Sequence, residues 1–232
     1  MSENQLRNKQ GLTESEFLAA YDPGIYEKPS VTVDMLVFWL PDTDKKNIAS
    51  PGGNILKLLM IKRGDHPYMG QWALPGGFVN LDESLDEAAA RELKEETGLE
   101  NIPMEQLYTW GEVPRDPRAR VIGVSYMGCV TGPAPDIRGN DDADAAAWFN
   151  VDYRIDQEDK TITEKGYILE QLYKLRLSND ADDLAAMIKV ARVAEGQIGK
   201  VARKIVASPG VAFDHAKIIS YAIENLQDKH MI

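Results

Sequence analysis

The sequence predicts an α/β fold, and three observations carry that expectation. Two β-rich apolar runs, 31–40 (VTVDMLVFWL) and 55–63 (ILKLLMIKR), are apolar enough for buried strands. A helix over 85–97 opens on a Ser84–Glu87 capping box and stops at Gly98. The last patterned segment, 213–226, puts His215, Ile219, Ala222 and Leu226 on one helical face. With 232 residues, 44% of them hydrophobic, the chain suffices for one substantial core and a small appendage.

Taken in order, residues 1–12 are polar and open no element. Thr13 forms a T-x-x-E capping box with Glu16, which predicts a short helix over 14–20. Asp22-Pro23-Gly24 forces a turn before the first strand. The two strands are separated by a polar loop, 42–53, that contains a proline and two glycines. A third strand, 72–79, is broken by Pro75-Gly76-Gly77. The helix at 85–97 has Leu85, Ala89 and Leu93 as its apolar stripe. Strands near 105–113 and at 121–131 flank the loop Pro114–Arg120, and a Pro/Gly/Asp-rich loop covers 132–144. Trp148–Val151 reads as a short strand. In 152–208, Tyr173, Leu175 and Leu177 alternate, as do Ile188 and Val190, so extra antiparallel strands are expected. Asp214 stands at the N-cap position of the last helix.

Composition narrows the function. At a net charge of −11 the chain gains no counterion-release energy on DNA or RNA, so no nucleic-acid partner is expected. A single cysteine, Cys129, excludes an internal disulfide and a Cys-rich zinc site, and its apolar surroundings make it a small core residue. No stretch approaches the roughly 20 apolar residues of a membrane span, and the polar N-terminus has no signal-like apolar region. A cytoplasmic protein with no membrane partner is the expectation.

The chemistry concentrates in 77–99, GFVNLDESLDEAAARELKEETGL. Glu92, Glu95 and Glu96 stand at i, i+3 and i+4, within about 100° of one helix face. Like charges so placed repel by about 0.2–0.5 kcal/mol per pair, which is intelligible when the face holds a cation. Carboxylate oxygens suit a hard ion such as Mg²⁺, which bridges to phosphate oxygens and activates water. Gly76 and Gly77 let the backbone approach closely, so a carbonyl can join the ligands. Arg91 is placed to fix a neighbouring carboxylate, and Glu83 reaches back over the helix. The unit reads as a metal-assisted phosphoanhydride hydrolase. The plain alternative, a solvated acidic face, accounts poorly for this spacing directly after Leu74-Pro75-Gly76-Gly77.

The same segment resembles, without a mismatch, the signature box of the Nudix hydrolases: Gly77, Glu83, Arg91-Glu92-Leu93, Glu95-Glu96 and Gly98-Leu99 at the family's spacing. The resemblance implies an α/β/α sandwich with a mixed sheet between helices. The pattern in 152–208 adds a β-rich insertion late in the chain. It also implies that Glu92 and Glu96 bind Mg²⁺ (Mn²⁺ being the alternative) directly, with Glu95 direct or through water and the Gly76 carbonyl completing the set. Arg91 and Glu83 join the three glutamates as the catalytic expectation. The whole chain, 1–232, is expected to form one Nudix domain. Its core is 13–151, its insertion 152–208, and its closing helical segment 209–232.

Substrate choice lies outside the box. Pro114, fifteen residues beyond Leu99, resembles a mark of ADP-ribose pyrophosphatases. Tyr21-Asp22-Pro23, Thr32-Val33-Asp34, Arg63 with His66-Pro67, Arg115-Asp116-Pro117-Arg118 and Ala212-Phe213-Asp214-His215 are similar to the bacterial branch that holds those enzymes and the NrtR regulators. Arg63, Arg115 and Arg118 are candidates to grip a pyrophosphate, with His66 and Gly77 completing the substrate-binding expectation. Trp72 and Trp110 read as core, and His215 as a hydrogen-bonded packing residue. A further carboxylate, Asp141, Asp142, Asp144 or Glu158, is expected to assist. NrtR regulators continue into a winged helix, whereas this sequence stops at Ile232, shortly after the Phe-Asp-His helix. The expectation is therefore an ADP-ribose pyrophosphatase giving AMP and ribose 5-phosphate. An ADP-ribose sensor, or a hydrolase of other or oxidised nucleotides, stands as the alternative. The insertion is expected to form a β-rich flap that contributes to a homodimer contact.

Overall fold

The structure is a computed structural model that describes residues 6–41, 56–138, 143–195, 199–229 and 231–232, leaving aside the side chains of 143, 144 and 195. Helix α1 (Glu14–Ala20) carries the expected Thr13–Glu16 capping box. Strands β1 (Ser30–Pro41), β2 (Lys57–Arg63), β3 (Trp72–Ala73) and β4 (Gly76–Phe78) follow. Then come helix α2 (Leu85–Thr97), β5 (Glu105–Trp110) and β6 (Val121–Gly132). Strands β7 (Ala143–Thr163), β8 (Gly166–Ser178), β9 (Asp183–Glu195) and β10 (Lys200–Ala207) precede helix α3 (His215–Asp228).

These strands form a single ten-stranded sheet in the order β10-β9-β8-β7-β2-β1-β6-β5, with β3 on β2 and β4 on β1. The β1–β6 pairing is parallel and the others antiparallel, so the sheet is mixed, as expected. Alternation along β1 divides the core. Val33, Met35 and Val37 face Ala88, Ala89 and Leu93 of α2. Leu36 and Phe38 face the other way, toward Ile218, Ile219 and Ala222 of α3. The sheet thus lies between two helices. Trp72 and Trp110 are both in the α3-side core, and the ring of Trp72 meets that of Phe149 edge-on at 4.7 Å.

Two elements differ from expectation. The strand starting near Trp148 is not short: β7 runs for 21 residues and pairs with β8 as far as Thr163–Gly166. Its outer half, YRIDQEDKTIT, is largely exposed, so it lacks the apolar alternation that marks a half-buried strand. The segment near 105–113 is a strand only to Trp110, because Val113–Arg115, with Pro114 inside, winds into a 3-10 turn. The insertion is β-rich as expected, and Leu175, Leu177, Ile188 and Val190 are buried. It extends the main sheet and reaches α3 through β9 and β10.

Candidate active site

The site begins with the ends of α2. The Ser84–Glu87 capping box starts the helix, and Gly98 stops it at φ 74° with its N–H on the Lys94 carbonyl. Ala88, Ala89 and Leu93 fix the buried face, and Glu96 shares it at 8% exposure. There the Glu96 Oε2 accepts the Gly76 N–H at 2.7 Å. Only glycine allows this approach. Gly76 has φ 156°, and a Cβ on it would stand 2.1 Å from the Val33 carbonyl oxygen. A Cβ on Gly77 would stand 2.3 Å from Glu92 Oε1, so that carboxylate rests against the strand backbone.

Arg91 answers the carboxylate repulsion expected on this helix. Its Nε and Nη2 donate to Glu83 at 2.9 and 2.6 Å, and Nη1 donates to Glu92 at 2.8 Å and to Glu95 at 2.9 Å. Nη2 also reaches the Phe78 carbonyl at 3.1 Å. The Arg91 hydrogen bond holds the Glu83 carboxyl down at about 2, whereas burial pushes the Glu92 carboxyl up. The sequence suggested one Arg91 pairing; the structure shows three. Glu96 turns to Gly76 while Glu95 turns to Arg91, and among the described residues no three His, Cys, Asp or Glu side chains stand grouped to hold a metal ion.

A cavity of about 400 Å³ opens beside the box. Gly76, Gly77, Arg91, Glu92 and Glu96 line it, while Glu83 and Glu95 stay outside its lining. Arg63, Arg118 and Phe213 line it as well. The guanidinium carbons of Arg63 and Arg118 lie 5.0 and 5.7 Å from the Phe213 ring centroid. Arg63 donates from Nε to the Pro67 carbonyl at 2.7 Å, and burial lowers its pKa, with Arg118 adding to the effect. Arg118 is oriented by two bonds to Asp116, at 3.1 and 2.8 Å, and lies 4.9 Å from the Phe78 centroid. Phe213 itself has φ 51°, an uncommon conformation for a bulky residue, at the entry to α3. His66 is exposed on the cavity wall, next to a cis bond to Pro67.

Arg115 is engaged within the protein. It lines the cavity, but Asp214 accepts from it at 2.9 and 3.3 Å and Asp34 lies at 3.6 Å. Its side chain is 6% exposed and fills space that a Cβ on Gly123 would take, 2.3 Å from Nη1. It is a buried charge with assigned partners, less able to meet a ligand than Arg63 or Arg118. Asp214 consequently makes no side-chain cap on α3. His215 behaves as expected: Nδ1 accepts the Leu74 N–H at 2.8 Å, which places the imidazole proton on Nε2, facing Asp34 at 3.7 Å. Burial pushes the Asp34 carboxyl up and the His215 imidazole down, keeping both toward their neutral forms.

Of the four distal carboxylates, Asp141 and Asp142 lie outside the described residues. The backbone of β7 pairs Ala143 with Arg63, which brings Asp144 to this end of the sheet. Glu158 lies fourteen residues further along β7, on the order of 45 Å at strand spacing, and accepts from Gln171 at 2.6 Å. That separation sets it far from the box within the same chain. Asp34 and Phe213 are cavity residues to which the sequence assigns no function. Asp34, alone among apolar neighbours in a buried strand, carries a signal. Phe213 carries none, because no propensity marks an aromatic held at positive φ.

Against known proteins, the model of the NUDIX domain matches residues 19–172. The chain belongs to the Nudix family. Its ADP-ribose pyrophosphatase relative in Methanocaldococcus jannaschii is 36% identical over 127 residues, 55% of this chain and 65% of that one. The ADPR responsive transcriptional repressor NtrR of Acinetobacter baylyi is 37% identical over 120 residues, 51% of this chain and 44% of that one. The chain therefore spans less than two thirds of either relative's length. A MutT/nudix family protein from Enterococcus faecalis superposes with a TM-score of 0.65 at 31% identity, covering 95% of this chain and 71% of that one. The NUDIX domain of Shewanella oneidensis NrtR complexed with ADP ribose gives a TM-score of 0.50 at 31% identity, covering 60% and 84%. In Nudix terms, the match includes the box helix, β1–β6 and all of β7, and ends within β8.

Proposed function

We propose that this chain is a Mg²⁺-dependent pyrophosphohydrolase that cleaves ADP-ribose, or a closely related nucleoside diphosphate derivative, to AMP and ribose 5-phosphate. One observation carries the reading: carboxylates and glycine backbone of the box line the same cavity as two arginines beside Phe213. Such a cavity suits a cation together with a pyrophosphate. The M. jannaschii relative supports ADP-ribose as the substrate to test first.

The oxygen donors present fit a hard cation. Glu92 and Glu96 line the cavity beside Gly76, and no soft ligand competes among its lining residues. Glu92, Glu96 and the Gly76 carbonyl would hold Mg²⁺, or Mn²⁺ in its place, with Glu95 joining once Arg91 yields it. Bound there, the cation supplies charge neutralisation and makes water a stronger nucleophile. Arg91 sets the rotamers of Glu92 and Glu83. Arg63 and Arg118 grip phosphate oxygens, and Asp116 keeps the Arg118 plane fixed. His66 contributes from the rim and Gly77 by leaving space. Asp144 is our choice for the assisting carboxylate, on the strength of its backbone position beside Arg63. We read 13–151, 152–208 and 209–232 as parts of one Nudix unit that works as a cytoplasmic homodimer.

A second reading, an ADP-ribose sensor, is favoured by the A. baylyi relative and by the hold of Arg91 on Glu92 and Glu95. Incubation with Mg²⁺ and a panel of nucleoside diphosphate derivatives separates the two. Hydrolysis of ADP-ribose supports the enzyme, and binding with no turnover of any compound supports the sensor.

A further inference from the structure

A second cavity, of about 850 Å³, lies against α3, and the insertion supplies part of its lining. Tyr108 and Trp110 of β5, Tyr221 and Glu224 of α3, Arg192 of β9 and Arg203 of β10 line it. We propose that this cavity is a binding site for a mononucleotide-like ligand, a planar heteroaromatic ring carrying one anionic group.

The ring faces are clustered there. Tyr108 lies 4.7 Å from Trp110 and 5.1 Å from Tyr221, centroid to centroid. Tyr108 is 47% exposed, so its ring is available to stack on a planar ligand. The anion end is marked by the two arginines. Arg192 donates to Glu224 Oε2 at 2.6 Å, and Arg203 donates to the same oxygen. Two guanidiniums therefore share one carboxylate, leaving a net positive charge at the pair. Glu224 has its other oxygen occupied by the Tyr153 hydroxyl at 3.0 Å. Arg203 is only 12% exposed, and its guanidinium carbon lies 4.8 Å from the Tyr221 ring centroid, which sets the charged end of the cavity directly beside its aromatic faces. The remaining lining charges are accounted for: Lys217 pairs with Glu112 at 3.0 Å and with Asp214 at 3.2 Å, and Asp228 is exposed at the far end of α3.

The first turn of α3 is the wall between the two cavities. His215 faces the first and Lys217 the second. Lys217 holds Asp214, and Asp214 holds Arg115, which lines the first cavity. A chain of ion pairs therefore runs from the lining of one cavity to the lining of the other. This also gives the insertion a task, since β8, β9 and β10 all contribute lining residues.

AMP is the probe, and calorimetry on the full chain is the test. Ala202 lines the cavity from an exposed position on β10, so Ala202→Trp fills it without removing an ion pair. An AMP-binding event that Ala202→Trp abolishes, that Arg203→Ala weakens at least tenfold, and that Arg63→Ala leaves intact is the expected result. The proposal is overturned if AMP does not bind, or if Ala202→Trp leaves every AMP-binding event unchanged. It is also overturned if the wild type is dimeric by light scattering and Ala202→Trp is monomeric, since a second copy would then occupy the cavity. None of these outcomes depends on whether ADP-ribose is hydrolysed.

Discussion

Glu96 on α2 accepts the amide proton of Gly76 on β4 at 2.7 Å, joining the box helix to the strand that borders the cavity. The bond holds a buried carboxylate at the cavity wall in one orientation. Glu96→Gln keeps an acceptor for Gly76 while removing the charge. The fold should persist, with a melting temperature within a few degrees of wild type, while ADP-ribose turnover falls by at least about a hundredfold, as for loss of a transition-state electrostatic partner. Wild-type turnover in the variant would remove Glu96 from the proposed metal set.

Arg91 should be a structural keystone of the box. Removing it leaves Glu83, Glu92 and Glu95 without their shared cation. Arg91→Ala should lower the denaturation midpoint in denaturant melts. Arg91→Lys should recover only part, because an ammonium cannot reproduce the forked contacts. Full recovery by lysine would show that simple charge, not geometry, is what matters.

Phe213 is expected to govern affinity rather than chemistry. Its ring lies beside both Arg63 and Arg118, and a cation–π contact contributes about 0.5–1 kcal/mol at an exposed site and about 2 when desolvated. Phe213→Leu should raise KM for ADP-ribose severalfold with kcat little changed. Arg115→Lys, by contrast, should show mainly as lost stability, since Arg115 is engaged by Asp214 and Asp34. A KM effect larger for Arg115→Lys than for Arg118→Lys would reverse the ranking of the arginines.

His215 should make stability depend on pH. Burial lowers its folded pKa below the usual value of 6.5. The unfolded chain then binds a proton that the folded protein resists, so stability falls as pH drops below about 6.5 toward the folded pKa. Above that range the imidazole is neutral in both states and contributes no slope. His215→Asn retains an acceptor for the Leu74 N–H and should flatten the wild-type decline in melting temperature between pH 6.5 and 5. Parallel curves would place the pH dependence elsewhere.

The box, both capping boxes, the Gly98 stop and the buried alternation of β8 and β9 were legible in the sequence, because each rests on contacts local in the chain or on a strict period. The outer half of β7 was not, since its exposed, charged residues follow its partner strand β8 and no buried face. The separate fates of the arginines were also hidden. Arg115 meets Asp214 across 99 residues and Arg118 meets Asp116 across two, and only the fold distinguishes a committed guanidinium from an available one.

The homodimer expectation is open to a direct check. Ile162 and Tyr167 near the β7–β8 turn, and Val206 on the edge strand β10, are exposed apolar residues. Such residues on the surface and on an unpaired edge favour association. Light scattering should give about twice the 25.8 kDa chain mass, and a monomer at micromolar concentration would end the proposal.

The central proposal is that one cavity holds a cation at its carboxylates and a pyrophosphate at its arginines. Product analysis after incubation with Mg²⁺ and ADP-ribose, for wild type beside Glu96→Gln, tests it most directly. Stoichiometric AMP and ribose 5-phosphate from the wild type, abolished in the variant and by chelation, is the expected result. Intact ADP-ribose after incubation with a wild-type protein that binds it would contradict hydrolysis and leave a sensor.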